Sequence, residues 1–332
     1  MKPPVSEWLA YGRRHEAAVS CRGRAQQAAS ELTMDQRSTT RIGFIGAGMM
    51  GGGIVSCLLK AGYPVTLIAH RNRARIAALV GQGAREVASL EALASDSDVV
   101  MICVNSADTV SDLVAAMTPA LAPGTMIIDV TTSKPETSKD LAARLAACGV
   151  DFVDAPVVGG PAQAASGELG TFLGGSAAAV ARAQPIVASY SVDVHHFGPV
   201  GAGNTAKLLN NFLTVGLRQL VVHAFRAARR HDIDWTKLYA LTSKGAAASR
   251  TLDQLVGGAI AGDYTRNKFS IANCYKDMTY AAPLLADDPD GCAIQAAMAE
   301  AYARLVDAGL GDRLASEMLD PDVEQVARRG KA

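Results

Sequence analysis

From residue 41 to about residue 197 the chain alternates short, continuously apolar runs with stretches in which apolar positions recur every three or four residues. An apolar run from Arg41 leads into a helix that ends near Ala61, and further runs at 64–69, 98–104 and 126–130 sit between helical stretches at 73–80 and 108–121 and one that starts at Pro135. Runs at 84–87, from Asp151, at 171–173 and at 192–197, with a helix at 177–189, continue the alternation. Continuous apolar strands separated by helices belong to a parallel sheet covered on both faces. After residue 198 the strand pattern stops. A glycine-rich stretch, Gly198-Pro-Val-Gly-Ala-Gly-Asn204, runs into a helix over 205–222 that is apolar on most sides, and helices at 235–242, 249–261, 272–285 and 293–308 follow. The predicted architecture is α/β: a doubly wound parallel sheet over residues 41–200, then an all-helical domain over 201–325. Residues 1–40 are expected to be a disordered extension, or to reflect a start assigned too early, since Met34 stands just before the first strand.

Composition narrows the picture mainly by exclusion. The 32 basic and 32 acidic residues cancel, so the total charge points neither to nucleic acid nor to an anionic membrane. Although 49% of residues are apolar, no run approaches the roughly 20 apolar residues that a membrane span requires. Six cysteines (Cys21, Cys57, Cys103, Cys148, Cys274 and Cys292) are scattered, without a C-x-x-C pair or a His/Cys cluster of metal-site spacing. No metal is expected, and reduced, mostly buried thiols in a cytoplasmic protein fit this usage. The first 40 residues lack the apolar core of a secretory signal, and Glu7, Glu16 and Glu31 interrupt the basic pattern of a transit peptide.

Chemistry enters at the ends of the strands. Gly46-Ala-Gly-Met-Met-Gly51 has the G-x-G-x-x-G spacing between a strand and a helix, the context of a dinucleotide fingerprint. Gly46 suits the tight turn, Gly48 lets the backbone approach a diphosphate, and Gly51 permits close helix packing, with Ala47, Met49 and Met50 completing the loop at the helix N-terminus. No Asp or Glu occurs between Asp35 and Glu86 to bind ribose hydroxyls, whereas His70-Arg71-Asn72-Arg73 follows the second strand. Arg71 above all, beside His70 and Asn72, suits a 2′-phosphate, so the expected cofactor is NADP(H) rather than NAD. Asn105 ends the run at 98–104 on the ligand-binding edge of such a sheet, and Thr131 and Thr132 follow the run at 126–130. Those hydroxyls either cap the helix from Pro135 or touch the nicotinamide ribose. Gly159 and Gly160, after the strand from Asp151, offer two backbone amides to a carboxylate or a carbonyl oxygen, unless they form an ordinary turn. On the long apolar helix, Lys207, Asn210, Asn211 and Thr214 share one face. A lysine there is either a proton-transfer group with a lowered pKa or a chain snorkelling to the surface. Asn273, Lys276 and Tyr280 share another helical face; Lys276 faces a cleft or forms a surface pair with Asp277.

With these motifs the chain resembles the β-hydroxyacid dehydrogenase family, which includes 3-hydroxyisobutyrate dehydrogenases and tartronate semialdehyde reductases. The resemblance spans about residues 41–310 and rests on Gly-Phe-Ile-Gly-Ala-Gly-Met-Met-Gly at 43–51, Asp-Ala-Pro-Val-Val-Gly-Gly at 154–160, Gly-Ala-Gly-Asn-Thr-Ala-Lys-Leu-Leu-Asn-Asn at 201–211, and Lys276-Asp277, in that order. It implies a Rossmann-type domain followed by a helical domain of the 6-phosphogluconate dehydrogenase-like kind, assembled as a homodimer or homotetramer. It further implies Lys207 as the catalytic acid/base, Asn211 as the residue that orients the substrate, Gly159 and Gly160 at the substrate carboxylate, and Lys276 closing the cleft. The implied reaction is hydride transfer between NADP(H) and a small β-hydroxy acid or semialdehyde. Val158 departs from the family's usual serine, which removes one hydroxyl from the substrate site and argues for a less polar or differently placed substituent there. The alternatives are an imine reductase, against which Lys207 speaks because those enzymes generally replace it, and a non-catalytic NADP-binding module.

Overall fold

The computed structural model describes residues 34–69 and 73–329. A short helix α1 (Met34–Thr39) occupies the end of the stretch expected to be disordered, whose remainder lies outside the described residues. The strands β1 (Ile42–Ile45), β2 (Val65–Ile68), β3 (Arg85–Val87), β4 (Val99–Ile102), β5 (Met126–Asp129) and β6 (Asp151–Asp154) pair in parallel in the order β3-β2-β1-β4-β5-β6. This is the Rossmann order. β7 (Val157–Val158), β8 (Leu169–Gly174) and β9 (Ser191–Gly198) extend the sheet beyond β6, where β8 runs antiparallel to β6 and β7 and parallel to β9.

Helices cover both faces. On one side lie α2 (Met49–Lys60), α3 (Arg73–Val80), α7 (Pro161–Ser166) and α8 (Ala177–Val187), packed with Ile42, Phe44, Leu67, Met101, Ile128 and Val153 into one core. On the other lie α4 (Leu90–Ser95), α5 (Ala107–Met117) and α6 (Pro135–Ala146), over Ile45, Val100, Ile102, Ile127 and Phe152. Alternate residues of one strand thus enter opposite cores, which is why β1, β4 and β5 read as continuously apolar. The close approach of α2 and α7 depends on Gly53, whose added Cβ would come within 2.7–2.9 Å of the Ala164 and Ala165 backbone.

The chain then enters α9 (Ala202–Arg230), longer at both ends than the sequence periodicity shows, followed by α10 (Trp235–Thr242), three short segments over residues 250–260, α11 (Ile271–Ala281), α12 (Pro289–Leu305) and α13 (Pro321–Arg329). Val215, Val222 and Phe225 of α9 form a separate core with Ile271, Cys274, Met278 and Tyr302. The expectation that α9 is buried on most sides needs correction: Leu209, Leu213 and Leu220 are exposed at 41%, 70% and 64%. Their spacing of four and seven residues makes one apolar stripe that the described residues leave exposed. The thiols are also less buried than expected, since Cys148 and Cys292 are exposed. Several short elements leave no clear periodicity in the sequence, among them α4, α7 and α13, none of which exceeds nine residues. Among the described residues no helix is long and apolar enough to cross a membrane.

Candidate active site

Parallel strands β1, β4, β5 and β6 end along one edge of the sheet, and the loops that follow them carry most of the chemistry the sequence singled out. After β1, Gly46 adopts φ +96°, and a Cβ there would stand 2.1 Å from the Cys103 carbonyl oxygen. Gly51 is closed off in the same way by the Gly46 carbonyl, again at 2.1 Å. Gly48 is different: a Cβ on it would meet nothing within 4 Å, and no side chain caps α2, which starts there. Free N–H groups at a helix start beneath open space fit a dinucleotide diphosphate. Met49, exposed at 57%, borders that space. His70, Arg71 and Asn72 lie outside the described residues, and Arg73, on the first turn of α3, is ion-paired with Glu86 of β3 at 2.5 Å.

The polar residues after β4 and β5 divide into two groups. Asn105 is exposed on the ligand edge. The buried Thr131 is committed to the fold: its hydroxyl accepts from the Val104 amide at 3.1 Å, and its own amide donates to Asp129 Oδ1 at 2.9 Å. Neither threonine caps α6, whose N-cap Lys134 has no side-chain cap. Asp129 Oδ2 is buried without a hydrogen-bond partner among the described residues, and burial raises its carboxyl to about 7. After β6 and β7 stands Val158, exposed at 40%, with Gly159 at φ +125°. The paired-amide expectation is corrected here, because the Gly160 amide donates to Gln163 Oε1 at 3.0 Å in the capping box of α7. That local hydrogen bond takes Gly160 out of the pair and leaves Gly159 exposed.

The helical region is joined to this edge by a carboxylate that the sequence reading quoted only as part of a motif. Asp154, at the end of β6, accepts from the amides of Gly201 and Asn204, both at 2.7 Å. These are the N-cap and third residues of α9, so one buried side chain satisfies the donors that a capping box would. Gly174 makes room for it, since a Cβ there would stand 2.4 and 2.7 Å from the two carboxylate oxygens, and a Cβ on Gly203 would meet the Asp154 backbone carbonyl at 2.8 Å. Burial raises Asp154 to about 6, opposed by those amide hydrogen bonds. Asn204 adds a second tie: its side chain accepts from the Ser133 amide at 2.9 Å and donates to Ser138 Oγ at 3.1 Å.

Lys207 follows one turn later, only 7% exposed, with no hydrogen bond among the described residues. Burial lowers its ammonium to about 8; Asp277 pulls the other way, and Arg218 and Lys276 add to the lowering. Asn211 lies on the same face and donates to Asp277 Oδ2 at 2.5 Å. Asp277 is 1% exposed, so the surface-pair reading of Lys276 and Asp277 does not hold. Their ion pair, 3.1 Å from Lys276 Nζ to Asp277 Oδ1, is inside the cleft, and Lys276 Nζ also donates to the Thr132 carbonyl at 3.0 Å. From the same face of α11, the Tyr280 hydroxyl accepts from the Ala107 amide at 3.2 Å. A polar chain therefore runs from Asn211 through Asp277 and Lys276 to the end of β5. Asp154 and Asp277 were legible only as acidic residues within apolar stretches, a pattern that marks a buried, partnered carboxylate.

The family model for the NAD binding domain of 6-phosphogluconate dehydrogenase matches residues 41–198, and that for the NAD-binding region of NADP-dependent 3-hydroxyisobutyrate dehydrogenase matches residues 201–321. The protein named probable 3-hydroxyisobutyrate dehydrogenase-like 3 of Arabidopsis thaliana is 33% identical over 240 residues, which is 70% of this chain and 74% of that protein. L-Threonate dehydrogenase of Cupriavidus necator is 33% identical over 228 residues, 68% of this chain and 76% of that one. The crystal structure of 3-hydroxyisobutyrate dehydrogenase from Salmonella typhimurium superimposes with a TM-score of 0.75 at 25% identity, covering 84% of this chain and 99% of that one. With its Rossmann-order sheet, its fingerprint turn and its buried lysine, the chain belongs to the β-hydroxyacid dehydrogenase family of NAD(P)-dependent oxidoreductases.

Proposed function

We propose that the protein transfers hydride reversibly between NADP(H) and a small β-hydroxy acid or its semialdehyde, with Lys207 as general acid/base. The observation that carries this reading is a buried lysine, free of hydrogen bonds among the described residues, whose ammonium is held at about 8. Near neutral pH such a group both gives and takes a proton, as reversible carbonyl chemistry needs. NADP(H), when bound, supplies or accepts the hydride at its nicotinamide. Lys207 protonates the carbonyl oxygen in reduction and deprotonates the hydroxyl in oxidation. Asn211, fixed by Asp277 at 2.5 Å, orients that oxygen. Gly159 takes the substrate carboxylate, Val158 presents an apolar wall, and Lys276 holds α11 over the cleft through Thr132.

The diphosphate fits at Gly46, Ala47, Gly48, Met49, Met50 and Gly51, and Asn105 and Thr132 border the nicotinamide half. Preference for NADP(H) rests on Arg71, because Arg73 is engaged by Glu86. Arg71→Ala should raise the KM for NADPH about tenfold or more and leave that for NADH nearly unchanged; equal effects on both would remove the assignment. Free thiols at all five described cysteines support a reducing compartment such as the cytoplasm. The stripe of Leu209, Leu213 and Leu220 supports a homodimer or homotetramer, which Leu213→Lys should dissociate in analytical ultracentrifugation.

The central test is NADPH consumption with small semialdehydes, keto acids and cyclic imines, in the wild type and in Lys207→Ala. Carbonyl turnover should fall about 10²- to 10⁴-fold in the variant. Because the acid form of Lys207 drives reduction, that rate should decline as pH rises through about 8, while oxidation, which needs the free amine, rises over the same range. Turnover of imines alone, or equal rates in the two proteins, would overturn the reading.

A further inference from the structure

Arg218 stands eleven residues after Lys207 and seven after Asn211 on α9. At about 100° per residue all three share one face, with Arg218 about 16 Å along the axis from Lys207 and its side chain leaning back toward Asn211. Its Nε and Nη1 atoms are sealed from solvent and have no hydrogen-bond partner among the described residues. The residue as a whole is half-buried, and its guanidinium lies beside the Cys274 thiol. Its plane is carried 5.0 Å from the centre of the Phe269 ring, just ahead of α11. The charge reaches Lys207 on one side and Cys274 and Tyr302 on the other.

A guanidinium in such a place needs an anion. No carboxylate among the described residues supplies one. Asp277 is taken by Asn211 and Lys276, and the other buried carboxylate of the helical region, Glu324, is taken by Arg226, Arg229 and Arg230. Lys207 and Lys276 are both within reach of Asp277, and Lys276 also acts on the buried Asp129, whereas Arg218 has no carboxylate bonded to it among the described residues, so its charge is left for a ligand. A guanidinium held over an aromatic ring with two unpartnered nitrogens is suited to a carboxylate or phosphonate.

We propose that Arg218 forms a second anion-binding subsite at the end of the substrate cleft remote from the nicotinamide, so that the substrate is a β-hydroxy acid or semialdehyde bearing a further anionic group on its side arm. This rests on the catalytic reading above. It names the side arm that Val158, lacking a hydroxyl, leaves unspecified.

A matched pair of substrates tests it. 3-Hydroxyisobutyrate and 2-(hydroxymethyl)glutarate share the same hydroxymethyl carboxylate and differ only in a methyl group against a carboxyethyl arm. Oxidation of both with NADP⁺ is compared in the wild type, Arg218→Gln and Arg218→Lys. The ratio of kcat/KM for the dianion over the monoanion should be well above one in the wild type and fall about ten- to hundredfold in Arg218→Gln, mostly through KM, with partial recovery in Arg218→Lys. Taking a ratio cancels any general effect on folding or on Lys207. Calorimetric binding of glutarate against butyrate to the same proteins separates the two claims. Arg218-dependent glutarate binding without turnover of either alcohol would keep the subsite and remove the proposed reaction. Turnover of both alcohols with a ratio that Arg218→Gln leaves unchanged would overturn the subsite and keep the reaction.

Discussion

Two long helices of this protein begin at a glycine on the same edge of the sheet, and they treat their first N–H groups in opposite ways. α2 starts at Gly48 with no side-chain cap and open space above the turn. α9 starts at Gly201, and its first donors are closed by Asp154, a carboxylate brought from β6 with two contacts of 2.7 Å. Both helix starts favour negative charge for the same reason, unsatisfied amides reinforced by the helix dipole. The difference lies in who supplies the charge. Where the chain supplies it, the helix start is a joint; where the chain withholds it, the start is left open to a ligand.

The comparison breaks most sharply if Asp154 is removed. Asp154→Ala leaves two buried amides without partners and should destabilise the protein by about 2–4 kcal/mol in urea denaturation, besides displacing Lys207 one turn away. The penalty should depend on pH in a defined sense. The carboxyl titrates at 3.8 when unfolded and at about 6 in the fold, so the folded state binds the proton more tightly. Stability linked to this group is fully present below about pH 4 and is lost as pH rises through 6. The gap between wild type and variant should therefore be wider at pH 4 than at pH 7; the opposite trend would show that ionised Asp154 is the favoured form. Gly48→Val addresses the other helix start. With nothing within 4 Å of the new Cβ and an ordinary φ of −75°, folding should be little changed, while NADPH affinity falls by about 1–3 kcal/mol in a fluorescence titration. Gly46→Ala is its control, since φ +96° and the Cys103 carbonyl at 2.1 Å should make that variant lose fold stability instead.

Much of this was legible in the sequence, for identifiable reasons. The parallel strands show as unbroken apolar runs because both faces are covered, and the fingerprint shows because Gly46 and Gly51 stand where a Cβ would meet backbone at 2.1 Å while Gly48 keeps the helix start open. Lys207 stood out because a cation on an apolar helix conflicts with its surroundings. What stayed hidden depends on contacts between distant segments. The Asp154 cap lies 47 and 50 residues from the amides it satisfies, and Asn211 meets Asp277 across 66 residues. The Gly160 amide looked available because the three-residue hydrogen bond to Gln163 is a matter of local geometry, which a glycine pair does not disclose. Arg218 gives no signal in the sequence, because an arginine in a helix is ordinary until the fold shows its Nε and Nη1 buried without a partner among the described residues.

A third helix start on the same edge gives the finest test of the comparison. α5 begins after β4, its N-cap Ser106 accepts from the Thr109 amide at 3.2 Å, and the amide of its first residue, Ala107, donates to the Tyr280 hydroxyl of α11. This start is closed partly from within and partly from the helical region, between the extremes of α2 and α9. Lys134 and Lys276 flank the same tyrosine, with their ammonium groups 5.1 and 5.2 Å from its ring centre. Tyr280→Phe keeps the ring and those cation contacts but deletes the acceptor. If the hydroxyl serves mainly to hold α11 against the cofactor edge, the variant should lose only about 1 kcal/mol of stability and show a several-fold rise in KM with kcat nearly unchanged. A loss of stability without change in KM would make the contact a structural cap alone, and would place α5 with α9 as a joint rather than with the working face of the cleft.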